Sequence, residues 1–309
     1  MGIISKQYIK QFVCRYDKEV GVPYYSYLDF KGLHQESNSF INSKGIEIHY
    51  FYYYYDNYQK DKIILFCHGI GPGHTAYLAE IETLAKRGFK VLTFDATGCD
   101  ESKGKYLGSL NNPTGDALDL LNYLNLKEEI VLVGHSMGGF TALNIINLKE
   151  DITKAVILSG FLSIEAEISA FIKNKFIASR ILSYERKTNP QYFNIDNIEY
   201  LKNTSDKLFF IQSIDDQMVP YQLSLKVVED INNPHIKTLK FNNRKHNPNY
   251  TDKAVNYMNE VFGKYNALLK NKEIKTDEDK INYFKDVSLS KLTEQDETLF
   301  DQIASFIND

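Results

Sequence analysis

Cysteine is scarce and odd in number. Cys14, Cys67 and Cys99 are widely spaced and form no CxxC pair, which excludes a disulfide framework and a cysteine zinc site and fits a reduced, intracellular setting. Positive charge is not in excess: 36 Lys and Arg stand against 40 Asp and Glu, a net of −4. Nucleic acid usually demands a clustered basic face, so it is not expected as a partner. No run of ~20 apolar residues is present, and Lys6 and Lys10 interrupt the start of the chain. Neither a stable membrane insertion nor an export leader is therefore expected, and the expected location is cytoplasmic. Gly2 does not make a myristoylation signal, because Lys6 stands where the pattern wants Ser or Thr. Gly (17) and Pro (7) are too few for a collagen-like or low-complexity chain. With 43% hydrophobic and 25% charged residues over 309, the composition is that of a globular protein with a large core.

What is present is a regular alternation. Residues 1–35 read as an arm, and 38–42 and 47–55 as two strands of a hairpin turning at Ser43-Lys44-Gly45. The tyrosine run Tyr52–Tyr55 alternates faces on the second of these. Short apolar strands then recur at 63–69, 90–95, 129–134, 154–160, 208–213 and 236–241, separated by amphipathic helical stripes. Wholly apolar strands with helices between them predict a parallel sheet covered on both faces, one doubly wound α/β domain. The alternation lapses over 161–206. The stripe Ile164, Ile168, Phe171, Ile172 there predicts a folded cap, with a loop-rich part around Pro190.

The chemistry concentrates at strand ends. Gly134-His135-Ser136-Met137-Gly138 matches G-x-S-x-G between an apolar strand and a helix. Turning from strand to helix within one residue forces Ser136 to φ > 0, and neighbours two positions away must lack side chains. A serine hydroxyl needs a base, and the base an orienting acid. In a parallel sheet both should follow later strands on the same edge. The loop after 208–213 holds Asp215 and Asp216, and the loop after 236–241 holds His246. His235 begins its strand instead of following it, which puts it ~20 Å from that edge. Two amides are expected to bind the oxyanion, Met137 N–H and one from the loop 68–73, for which Ile70 is chosen. That loop lacks the Lys-Ser/Thr ending of a phosphate cradle.

Five stretches in this order resemble the α/β-hydrolase superfamily: FCHGIGPG (66–73), RGFKVLTFDATGCDESKG (87–104), VLVGHSMGGF (131–140), IQSIDDQMVP (211–220) and RKH (244–246). The resemblance covers about residues 36–270 and is nearest to the esterase, monoacylglycerol-lipase and aminopeptidase-like branch. It implies an α/β-hydrolase fold: a mostly parallel, eight-stranded, doubly wound sheet with an N-terminal antiparallel hairpin and a small helical cap. It also implies Ser136 as nucleophile, His246 as base, Asp216 as acid, and Ile70 and Met137 as oxyanion donors. Asp216 is selected because it stands four residues before Pro220, with Asp215 as the fallback. The chain departs from the family at Asp100, where a Gly is common, and at Arg244 and Lys245 before the histidine. Asp tolerates the left-handed turn.

The reading is thus a serine esterase, lipase-like, acting on an ester or thioester through an acyl-enzyme, with a small-molecule acyl substrate and no cofactor or metal. Phe171, Ile172 and Phe176 of the cap are expected to line an apolar acyl pocket. The enzyme alternative is a proline-releasing aminopeptidase, with Glu165 and Glu167 gripping the substrate amine. The other is a silent binding protein of the same fold. Residues 271–309 carry five Lys against ten Asp and Glu and form an acidic helical extension. Its stripe Leu299, Phe300, Ile303, Ile307, with Thr293 as N-cap, is expected to dock on the body beside the arm. A homodimer contact is the alternative.

Overall fold

The computed structural model describes residues 2–309. Eight strands form one sheet: β1 (His34–Ile41), β2 (Glu47–Tyr54), β3 (Lys62–Cys67), β4 (Lys90–Phe94), β5 (Glu129–His135), β6 (Lys154–Leu158), β7 (Lys207–Ser213) and β8 (Ile236–Phe241). Their order across the sheet is β1-β2-β4-β3-β5-β6-β7-β8. The hairpin β1–β2 is antiparallel and joins β4 antiparallel, while β3 through β8 are mutually parallel. Every residue of β3 and β6 is buried, which is why these strands read as unbroken apolar runs. In β2 the faces alternate: Tyr50 and Tyr52 enter one core cluster, Phe51 and Tyr53 the other.

The helices are α1 (Ile3–Phe12), α2 (Leu78–Ala85), α3 (Asn112–Leu124), α4 (Met137–Leu148), α5 (Ile164–Phe171), α6 (Lys175–Thr188), α7 (Pro190–Phe193), α8 (Asn197–Asn203), α9 (Leu225–Ile231), α10 (Asp252–Lys270), α11 (Asp277–Phe284), α12 (Leu289–Leu292) and α13 (Glu297–Asn308). α3, α4 and α9 bury their apolar faces in one cluster, and α2 and α13 in the other. The interruption between β6 and β7 is helical throughout most of its length (α5 to α8), including the part around Pro190, where the proline opens α7 as its first residue.

The C-terminal segment differs from the expectation at its N-cap. The stripe Leu299, Phe300, Ile303, Ile307 packs on the sheet beside α2, near Tyr25 and Phe30 of the arm. α10 packs with α11 and α12 in a separate cluster through Val261, Tyr265, Phe284 and Leu292. The richer apolar face goes to the sheet. The N-cap of α13 is Asp296, whose carboxylate accepts from Leu299 N, whereas the Thr293 hydroxyl donates to Leu289 O. Lys62 and Lys154 both donate to Ile307 O at 2.8 Å, placing cations at the negative end of α13.

Candidate active site

Ser136 sits between β5 and α4 with φ +56 and ψ −122, the strained turn that the motif requires. The glycines are obligatory for close packing. A Cβ on Gly138 would overlap the carbonyl of Cys67, and one on Gly134 would overlap the carbonyl of Gly138. The loop after β3 lies against the serine, since a Cβ on Gly69 would come within 3.2 Å of Ser136 Cβ. Met137 N–H, the first amide of α4, and Ile70 N–H donate to no protein partner among the described residues, so both are free to meet a substrate oxygen.

Asp216 and His246 meet at the ends of β7 and β8. His246 Nδ1 lies 3.1 and 3.0 Å from the two carboxylate oxygens of Asp216. Asp216 Oδ1 also accepts from the amides of Met218 (2.8 Å) and Val219 (3.0 Å). Burial alone would raise this carboxyl, but the hydrogen bond and charge of His246 and the two amides outweigh it and hold the group below its ordinary value. Asp215 does different work: its Oδ1 accepts from Ser213 Oγ (2.6 Å) and Lys245 N (3.0 Å), stitching the two loops together. Ser136 Oγ and His246 Nε2 carry no hydrogen bond among the described residues. Such a contact commonly tightens only when substrate is present.

His135, next to the nucleophile, links the halves of the site. Its ring centroid is 4.8 Å from that of His246. Its Nε2 donates to the His246 carbonyl at 2.7 Å, which fixes the tautomer and leaves Nδ1 to accept from Tyr77 OH at 2.9 Å. Burial is the main cause that lowers this imidazole to about 3, so it stays neutral. His68 holds its own loop, with Nδ1 bonded to Gly69 O (2.7 Å) and Nε2 accepting from Ala96 N (3.0 Å).

The C-terminal segment straps the histidine loop from the other side. Asp296 N donates to Asn249 O (2.8 Å), Thr251 N to Glu294 O (2.9 Å), and Asn249 Nδ2 to Gln295 Oε1 (2.9 Å). Arg244 is clamped between Asp252 (3.0 Å) and Asp296 (2.7 Å), so it is bound to protein carboxylates instead of facing a substrate anion. Asn249 also reaches Glu80 on α2 at 3.2 Å. Apart from Arg244 and Asp252, these partners lie roughly 45 to 170 residues apart, so no local motif announces them.

Above Ser136 is an apolar cavity of about 140 Å³. Phe171 and Ile172 line it as expected, together with Ile70 and Met218. Phe176 does not. It is 62% exposed with the Arg180 guanidinium 5.1 Å from its ring. The buried residues of α6 are Ala178, Ile181 and Glu185, and at 100° per residue Phe176 falls nearly opposite them. Glu165 is exposed and pairs with Arg186 at 3.1 Å. Glu167 turns into the cavity with no side-chain partner among the described residues. Burial, and then the charge of Asp216, push it up to about 8.

His74, Asp95 and Asp100 lie close enough to share a metal ion. Their atoms are already engaged: Asp95 Oδ1 accepts from His74 N (2.7 Å) and contacts its Nδ1 (2.8 Å), and Asp100 accepts from Thr75 and pairs with Lys18. The cluster holds the turn at Asp100, whose φ is +35.

The family described as serine aminopeptidase, S33, matches residues 58–203, a span that includes Ser136 and the cap and ends before Asp216 and His246. An epoxide hydrolase of Caballeronia sordidicola is 32% identical over 96 residues, 30% of this chain and 29% of that protein. A probable esterase, PIR7A, of Oryza sativa is 25% identical over 149 residues, 47% of this chain and 53% of that one. The chain thus spans about half or less of the length of these curated relatives. Among solved structures, an esterase of Pyrococcus furiosus superposes with a TM-score of 0.58 at 18% identity, covering 83% of this chain and 96% of that one. With its sheet order and strand-end loops, the chain has the α/β-hydrolase fold. These three proteins are described as a hydrolase and two esterases.

Proposed function

We propose that the protein is a serine hydrolase that cleaves a carboxylic ester or thioester through an acyl-enzyme on Ser136. His246 takes the hydroxyl proton on Nε2 as Oγ attacks the carbonyl carbon. The oxyanion that forms is met by the amides of Ile70 and Met137. Collapse expels the alcohol or thiol, which receives the proton from His246. Water then repeats the sequence on the acyl-serine and releases the acid. Asp216 orients the imidazole and stabilises its charge. The observation that carries this reading is the pairing of His246 Nδ1 with Asp216 at 3.0 Å, on the sheet edge where Ser136 occupies the strained elbow.

A proline-releasing aminopeptidase is the second reading, and Glu167 is the observation behind it. Its carboxyl faces the cavity alone, while Glu165 is paired elsewhere. A group pushed up to about 8 is largely protonated at neutral pH, a poor preformed anion for an ammonium group, so the ester reading is preferred. Hydrolysis of short acyl esters beside aminoacyl amides separates the two. Faster ester turnover, lost in Ser136→Ala and in His246→Ala, supports the esterase. Faster amide turnover supports the aminopeptidase, and turnover of neither supports a silent binding protein.

A further inference from the structure

The helix α1 lies outside the stretch matched by the family, yet two of its side chains, Tyr8 and Phe12, line the same cavity as Ser136. The two rings are a turn apart and stack at 5.9 Å with a 27° interplanar angle, so they present one apolar face. The helix packs along α6 of the cap. The joint is made by Glu185, which is fully buried on α6. Its Oε1 accepts from Tyr8 OH (2.6 Å) and from Leu110 N (3.4 Å), and its Oε2 from Ser109 Oγ (2.6 Å). Leu110 lines the cavity too. One buried carboxyl therefore ties together three walls: the first helix, the cap and the loop before α3. A buried carboxyl with three donors is costly to break, because each released group would lose its partner.

We infer that α1 is the outer wall of the acyl pocket, and that with this wall in place the pocket selects acyl groups of about six carbons or fewer. The inference rests on the acyl-enzyme reading for its chemistry and on the cavity for its size. About 140 Å³ is close to the ~150 Å³ apolar cavity that holds a benzene molecule. Phe12 stands at the mouth, 45% exposed. A longer chain would pass it into water and gain little more contact.

The test is the dependence of kcat/KM on acyl length, from acetyl to decanoyl 4-nitrophenyl esters. Each added methylene is expected to raise kcat/KM about fourfold until about six carbons, and then the gain stops. Phe12→Ala lowers the hexanoyl-to-acetyl ratio about tenfold. Ile3→Ala, on the same helix and 84% exposed, leaves that ratio where it was. A gain that continues unbroken to decanoyl, or a Phe12→Ala ratio within twofold of the parent, overturns the inference. Calorimetric binding of hexanamide, which needs no nucleophile, keeps the two claims apart. If no ester is turned over but hexanamide binding weakens in Phe12→Ala, the catalytic reading fails and the wall stands. If Ser136-dependent turnover is present and hexanamide binding ignores Phe12, the wall fails alone.

Discussion

His135 Nε2 donates a 2.7 Å hydrogen bond to the carbonyl of His246, so the residue beside the nucleophile holds the loop that carries the base. Positioning of this kind is worth a great deal, since a misplacement of 1 Å can cost ~10²-fold in rate. His135→Ala is expected to lower kcat on a short acyl ester by about 10- to 100-fold with KM nearly unchanged. His135→Gln, which keeps a donor near the same place, restores part of it. Steady-state kinetics on the two variants check this; a large KM change with kcat intact would contradict it.

The strap from the C-terminal segment makes a separable prediction. Asp296 both caps α13 and pairs with Arg244 at 2.7 Å. Asp296→Asn keeps a capping side chain and removes the ion pair, so it is expected to reduce kcat several-fold with little change in melting temperature. Asp296→Ala also loses the cap, costing about 1 kcal/mol of stability. Parallel kinetics and thermal unfolding distinguish the two effects.

The docking of α13 has its own consequence. Ile303 is fully buried between α13 and the sheet, and Ile303→Ala is expected to cost about 2–5 kcal/mol. Denaturant titration measures this, and deletion of the chain after Lys270 should destabilise it further. Unchanged stability in either variant would mean that the helix does not dock in solution.

Most of the sheet was legible because buried parallel strands are unbroken apolar runs, and each strand found from sequence agrees with an observed one to within a few residues. The candidates Ser136, Asp216 and His246 could be picked out together because loops after parallel strands share one edge. The rest depended on contacts between distant segments. Phe176 was chosen as an apolar neighbour of Phe171 and Ile172 in the cap, and nothing local says on which side of α6 it emerges. Thr293 was a plausible cap, yet the strap holding 294–296 against 249–251 sets the start of α13 at Asp296. The partnership of Tyr8 with Glu185 spans 177 positions and has no local signal.

Glu167 should make stability depend on pH. Its folded-state value of about 8 lies above the ordinary 4.5, so between these two the folded chain binds more protons than the unfolded one. Stability from this group is therefore fully present below about 4.5 and is lost as pH rises through about 8. Glu167→Gln removes that dependence. The stability of the variant relative to the parent is expected to climb across this window, as read by chemical unfolding at several pH values. A difference that stays flat would mean that the carboxyl is solvated or partnered.

The most direct measurement of the central claim is mass spectrometry after reaction with a fluorophosphonate, which reports whether the hydroxyl at the elbow is activated. The account predicts one adduct per chain, located on Ser136, abolished in Ser136→Ala and slowed by orders of magnitude in His246→Ala. An unlabelled parent protein, or a labelling rate indifferent to the imidazole, would contradict it.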